Sequence, residues 1–207
     1  MTTTTITFVR HGNTDHNLEN RAQGHLNNSL NATGFQQAEA IAKRIAEESW
    51  DVFISSDLLR ARQTAEIISQ TLGMPITAYD ARLREMDRGQ VENTIEPERV
   101  ARWGPNWKDL ELGQESIESI RARGLDFIND TAVRYAGRKV LVVTHGFFLG
   151  QTLKALMQDE STGNHLKNTS VTTIAHKDDH WEYVLYDCVR HLDAGEPSDA
   201  DRSSAKA

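Results

Sequence analysis

Lys139-Val140-Leu141-Val142-Val143-Thr144 is the stretch that decides the fold. Four apolar residues in a row, with a polar residue at each end, cannot alternate between a wet face and a dry one. Such a run fits a strand buried on both sides of a sheet, the habit of parallel sheets covered by helices. His145 and Gly146 follow at once, and residues 147–157 then read as a helix. Near the other end of the chain, Ile6 to Val9 is a short strand that runs straight into Arg10-His11-Gly12. Two strands therefore end on histidines. Ligands of open α/β sheets bind beyond the carboxyl ends of the strands, so this coincidence marks a site before any chemistry is considered.

The intervening segments supply the other elements. Thr33-Gly34-Phe35-Gln36 has the form of a capping box, with Ala38, Ile41, Ala42 and Ile45 at helical spacing behind it, and the helix is expected to end near Ser49. Val52–Ile54 reads as a strand. Ser55-Ser56-Asp57 then offers helix-start chemistry for a segment ending near Gly73, with Pro75 as a breaker and Ile76–Tyr79 as a short strand. Residues 83–113 lose all periodicity. They contain Gly89, Pro97, Gly104, Pro105, Trp103 and Trp107, and are expected to form an irregular lid inserted between core elements. A helix over 116–135 follows, and late strands over 170–175 and 181–186 flank a turn at Lys177-Asp178-Asp179. Alternating strands and helices predict an α/β fold, three layers α/β/α around a mostly parallel central sheet. The expected organisation is one domain over 1–193 and a polar, disordered tail over 194–207.

Composition narrows the class of partner. The 207 residues carry a net charge of −7, which argues against general affinity for nucleic acid or an anionic membrane surface. An anionic ligand must be drawn in by a local positive cluster against the overall field. No apolar run approaches the roughly 20 residues that span a bilayer, and the first residues lack the basic-then-apolar pattern of a signal peptide. A soluble, cytoplasmic protein is the default expectation. Cys188 is the single cysteine; it has no disulfide partner and is expected to sit buried in a strand. Oligomeric state is not legible in the pattern.

Phosphoryl transfer needs few parts. Charge spreads over the equatorial oxygens, so catalysis rests on positioning and electrostatic stabilisation. Arginine suits that task because its planar fork donates paired hydrogen bonds and stays charged. A nucleophile and a proton donor complete the set. Arg10, His11, Arg60, Glu85 and His145 together supply all of these.

Five segments in order carry a resemblance: Val9-Arg10-His11-Gly12-Asn13-Thr14, Thr33 to Ala38, Ser56-Asp57-Leu58-Leu59-Arg60-Ala61-Arg62-Gln63-Thr64-Ala65, Leu83-Arg84-Glu85, and Val143-Thr144-His145-Gly146. The chain, over about residues 6 to 187, resembles the histidine phosphatase superfamily, in its phosphoglycerate mutase-like branch, and is most similar there to the small phosphatases named phosphoglycerate mutase B. The resemblance implies a phosphomonoester hydrolase working through a phosphohistidine on His11. Arg10, Arg60 and His145 would surround the phosphoryl oxygens, His145 as a cation once substrate is bound. Glu85 would protonate the leaving group and then activate water. Asn17, Gln23, Gly24 and Gly146 would contact the substrate. It implies no metal and no cofactor, and a small phosphorylated metabolite as the partner.

Several alternatives stay open at this level. Glu92 is the reserve for Glu85. A mutase would use the same phosphohistidine but needs extra positive residues in the lid. Between Met86 and Gly113 there are four basic residues (Arg88, Arg99, Arg102, Lys108) against six acidic ones, which favours hydrolysis. A domain that only binds phosphorylated ligands is the third reading. Trp103 and Trp107 are expected to anchor the lid to the core, or else to stack on substrate. The remaining histidines (16, 25, 165, 176, 180 and 191) show no metal-ligand spacing and are expected to be structural or superficial.

Overall fold

In the computed structural model, residues 3–163, 166–177 and 180–192 are described. Strands β1 (Thr4–Arg10), β2 (Val52–Ser55), β3 (Ala78–Tyr79), β4 (Lys139–Thr144), β5 (Val171–Lys177) and β6 (His180–Cys188) form one sheet in the order β3-β2-β4-β1-β5-β6. The first four are mutually parallel; β5 runs antiparallel to β1, and β6 antiparallel to β5. The sheet is thus mixed but mostly parallel.

The apolar run of β4 does what its composition demands. Val140 and Val142 turn to one face, where Ile6, Phe8 and Ile54 meet Ile120, Phe127 and Ile128 of α5 (Ile117–Arg134) and Phe148, Leu149 and Leu153 of α6 (Gly146–Met157). Leu141 and Val143 turn to the other, where Val9 and Phe53 meet Ile41 and Ile45 of α2 (Ala32–Ile45) and Ala61, Ala65 and Ile68 of α3 (Leu59–Leu72). Each such side chain removed from water contributes about 1.5–3 kcal/mol. Both faces are covered, giving three layers.

The structure departs from the sequence reading in three places. Helix α2 is capped by Asn31, whose side chain accepts from the Gly34 N–H at 2.9 Å, and not by Thr33. Gln37 faces the other way and accepts from the Asn13 N–H at 2.9 Å. The insertion is not wholly irregular: it holds a two-turn helix, α4 (Glu96–Trp103), with single 3-10 turns at Gly89–Val91 and Trp107–Asp109. Pro97 suggested a break, yet proline is compatible with a helix's first turn because its missing N–H would be unpaired there anyway. Glu98 completes the start by accepting from the Ile95 N–H at 3.1 Å. Cys188 is half-buried at the end of β6, its sulfur 3.4 Å from an Arg44 nitrogen. The tail over 194–207, His165, and the turn residues Asp178 and Asp179 lie outside the described residues.

Candidate active site

Parallel pairing puts the two strand-end histidines side by side. Register matches Arg10 of β1 with Thr144 of β4, and the next residues, His11 and His145, bring their ring centroids to 5.2 Å. The His11 N–H still donates to the Thr144 carbonyl at 2.9 Å, extending the ladder by one rung. Asn168 donates from its side chain to the His11 carbonyl at 3.0 Å. The Gly12 N–H donates to Thr64 Oγ1 at 3.1 Å, and that hydroxyl donates to the Arg60 carbonyl one turn back in α3. Gly12 lies against Gly34 at the start of α2. A Cβ on Gly12 would stand 2.5 Å from the Gly34 carbonyl oxygen, so no side chain fits at that contact.

His11 is 2% exposed. Its Nδ1 is 2.7 Å from the Gly12 carbonyl, which can only accept, so Nδ1 carries the proton and Nε2 keeps its lone pair. Burial, then the neighbouring charges of Arg60 and Arg10, hold its pKa well below the ordinary histidine value; the bond to Gly12 opposes them. The imidazole is neutral with a fixed tautomer, the state in which Nε2 can attack an electrophile. His145 is fully buried, with Nε2 2.8 Å from Ser56 Oγ and Nδ1 without a partner. Burial, then Arg60, His11 and Arg10, push its pKa down as well. It is therefore held neutral, and a cationic His145 requires an anion beside it.

Two arginines, Arg60 buried and Arg10 half-buried, stand by this pair. Arg60 is 1% exposed and donates to the carbonyls of Gly24 (2.9 Å) and Leu26 (3.2 Å), with Nε 3.3 Å from His11 Nε2. Burial lowers its pKa to about 10, which leaves it charged at neutral pH. Arg10 donates to the Leu166 carbonyl, and its Nε is buried with no partner among the described residues. Gly146 makes room for that group: a Cβ there would come within 3.0 Å of Arg10 Nε. An unpaired buried donor is costly, so Arg10 Nε is suited to receive an anion.

Glu85 sits across the N-terminus of α6. Its carboxylate accepts from the N–H groups of Phe148 (2.9 Å), Met86 (2.8 Å) and Phe147 (3.1 Å), where the helix dipole favours negative charge. Its own carbonyl is held from behind by His25 Nε2 at 2.8 Å and Arg123 at 3.2 Å. Glu92 instead accepts from the His25 N–H at 2.6 Å under the Gly24 turn, and only Glu85 of the two lines the cavity. Gly24 has a φ of +50° and would collide with Glu92 if it carried a Cβ. Asn17 and Gln23 both line the cavity and both present a side-chain oxygen 3.0 Å from Thr14 Oγ1.

All nine residues singled out from the sequence meet around one cavity of about 480 Å³, eight of them on its wall with His145 buried behind His11. Sequence reasoning missed Arg88, Arg99 and Gln151 as residues that also line the cavity. Lid residues were weighed by net charge, whereas the charged lid residues that line the cavity, Arg88 and Arg99, are both arginines. Thr64 was missed too, although its place four residues after Arg60 in the arginine segment was a usable signal. Trp107 is 7% exposed and packs with Val91 and Leu112, donates to Glu96 at 2.9 Å, and also borders the cavity.

Residues 6–189 match the model of the histidine phosphatase superfamily, branch 1. The chain belongs to this superfamily. A metal-independent phosphoserine phosphatase of Arabidopsis thaliana is 34% identical over 199 residues, covering 91% of this chain and 83% of that one. A probable phosphoglycerate mutase GpmB of Salmonella paratyphi A is 34% identical over 205 residues, covering 91% and 95%. Among solved structures, Bacillus stearothermophilus YhfR superposes with a TM-score of 0.82 at 27% identity, over 91% of this chain and 99% of that one. Membership in the superfamily and the three-layer fold agree with the expectation drawn from the five ordered segments.

Proposed function

We propose that the chain is a phosphomonoester hydrolase that passes the phosphoryl group through His11. The observation that carries this reading is the state of His11: buried, neutral, its proton fixed on Nδ1 toward Gly12, and its Nε2 3.3 Å from Arg60 Nε. In the first step Nε2 attacks phosphorus and the P–O bond to the alcohol breaks; Glu85 delivers the proton that the leaving alkoxide takes up. In the second step Glu85 removes a proton from water, which attacks the phosphohistidine and returns His11 to its neutral form. Arg10, Arg60 and His145 hold the phosphoryl oxygens, and the charge they bring lowers the barrier at both steps. Asn17, Gln23 and the Gly24 and Gly146 backbones shape the approach. Kinship with a protein named as a phosphoserine phosphatase supports hydrolysis of a small phosphorylated metabolite.

The test is phosphate release from a panel of phosphomonoesters in EDTA, with 2-phosphoglycerate formation from 3-phosphoglycerate followed in parallel. Phosphate without isomer is expected. Isomer formation dependent on 2,3-bisphosphoglycerate would assign a mutase instead, and no reaction at all would leave a binding domain. His11→Ala is expected to lose at least about 10⁴-fold in turnover. Glu85→Gln is expected to slow alkyl phosphates by roughly 10²–10⁴-fold and nitrophenyl phosphate much less, since nitrophenolate departs without a proton. Equal losses on both would remove Glu85 from the acid role.

A further inference from the structure

We infer that Arg123 is a positioning residue for Glu85: paired with Glu115, it holds the backbone that carries the acid and so fixes where the carboxyl group meets the leaving oxygen. The inference rests on the phosphohistidine reading above and adds what sets the geometry of its proton donor.

Glu85 lies where the chain has left regular structure. Strand β3 ends at Tyr79, a single 3-10 turn covers Ala81–Leu83, and residues 84–88 belong to no helix or strand. A backbone without a ladder must still pair its N–H and carbonyl groups. Here side chains do it. Arg123, on α5, donates from one terminal nitrogen to the carbonyls of Arg82 (2.7 Å) and Arg84 (2.6 Å). Its other terminal nitrogen donates to the Glu85 carbonyl (3.2 Å) and to Glu115 (2.9 Å), and Nε donates to Glu115 at 2.8 Å. A guanidinium has five N–H donors, so all five are committed and none is left for a ligand. Glu115 in turn accepts from the Asp87 N–H at 3.4 Å and donates its own N–H to the Asp87 carbonyl at 2.9 Å. The pair thus serves residues 82–87 as a neighbouring strand would.

Arg123 reaches the acid by a second route. Its guanidinium carbon lies 4.7 Å from the centroid of the Phe148 ring, and the Phe148 N–H donates to the Glu85 carboxylate at 2.9 Å. One side chain therefore bears on Glu85 through its own carbonyl and through the helix start that receives its carboxylate. His25 holds the same carbonyl at 2.8 Å, but by one bond from a loop, whereas Arg123 stands on an 18-residue helix packed on the sheet. The charge of Arg123 is answered by Glu115, so what it gives Glu85 is placement. Arg123 also adds to the positive field at His145, and that is the rival route. An effect through His145 would slow all phosphate esters alike, since all present the same phosphoryl group.

The leaving group separates the two. Values of kcat/KM are measured for Arg123→Lys and Arg123→Met on an alkyl phosphate, which needs a proton donor, and on nitrophenyl phosphate, which does not. Arg123→Met is expected to lower the alkyl value by roughly 10–100-fold, as for a displaced reacting group, and the nitrophenyl value far less. Arg123→Lys keeps the charge with three donors in place of five, and is expected to fall between. In a Glu85→Gln background Arg123→Met should add little further loss, the mark of two residues acting through one group. Equal losses on both esters, or a full additional loss in the Glu85→Gln protein, would overturn the inference. Should Arg123→Met fail to fold, Arg123→Lys carries the same comparisons. Amide exchange on Arg123→Lys gives a readout that needs no turnover. The N–H groups of Met86, Phe147 and Phe148, which hold the carboxylate, are expected to exchange faster, while that of His11 keeps its rate. Unchanged exchange at all three would also overturn the inference. If the unmodified chain hydrolyses neither ester, the hydrolase reading fails, and the exchange rates still judge Arg123.

Discussion

Around His11 the donors are set by the sheet itself, whereas at Arg21, Arg88 and Arg99 they are set by loops and an insertion with its own small core. On the first side every group hangs from a strand end or a helix start that is buried on both faces, and His11, Arg60 and His145 are each no more than 2% exposed. On the second side the insertion packs on Val91, Trp107 and Leu112, with Ala22 and Trp103 partly buried against them. Ion pairs such as Arg21 with Glu98 and Arg99 with Glu96 complete it. The first arrangement allows one geometry and suits invariant chemistry. The second can change its side chains without disturbing the sheet, and suits the choice of substrate. Each prediction below tests that division.

Outside the reacting groups themselves, the largest effect is expected at Gly12→Ala. The added Cβ would meet the Gly34 carbonyl at 2.5 Å, and backbone on both sides must yield, carrying His11 away from Arg60. Displacement of a reacting group by about 1 Å costs on the order of 100-fold in rate. A fall of that size in kcat on every substrate, measured by phosphate release, is expected. A variant that kept its kcat would mean the nucleophile loop is not held by this contact.

This division also explains what could be read from the sequence. Strand β4 was legible because four apolar residues leave a strand no wet face, and His11 and His145 followed from where two strands stop. Arg60 and Glu85 were legible only through their ordered segments, since a lone arginine or glutamate on a helix or loop is ordinarily solvated. Helix α4 was not legible, because Pro97 reads as a break and only its position in the first turn makes it harmless. Nor was Arg88: the charge count of residues 86–113 is net negative, and a count cannot say which side chains turn inward.

A second test compares stability across pH. His11 and His145 are held neutral by burial and by Arg60 and Arg10, while in the unfolded chain a histidine takes up its proton near pH 6.5. Their contribution is therefore complete above about pH 6.5 and is lost as pH falls toward the depressed folded value. Urea unfolding at pH 7.5 and 5.5 is expected to show a drop that is smaller in a His145→Asn variant. An identical drop in both proteins would mean that His145 is not held neutral in the folded state.

On the lid side, Trp107→Ala removes the centre of the small core and the bond to Glu96. Local opening is expected more than global unfolding: faster amide exchange over residues 89–112, a KM raised several-fold, and a small change in Tm. A large loss of Tm would show that the insertion and the sheet fold as one unit and that the division drawn here is too sharp.

The smallest effect is expected at Glu98→Gln, and its smallness matters. Arg21 donates to Glu98 at 2.8 and 3.1 Å, to Glu19 at 3.0 Å and to the Asn93 carbonyl at 2.5 Å. Exposed pairs of this kind contribute little, and added salt screens them. If Arg21 is committed to the lid and not to the ligand, freeing it from Glu98 should shift KM by less than about threefold, and the shift should shrink at high salt. A large, salt-resistant change in KM would place Arg21 among the ligand's partners.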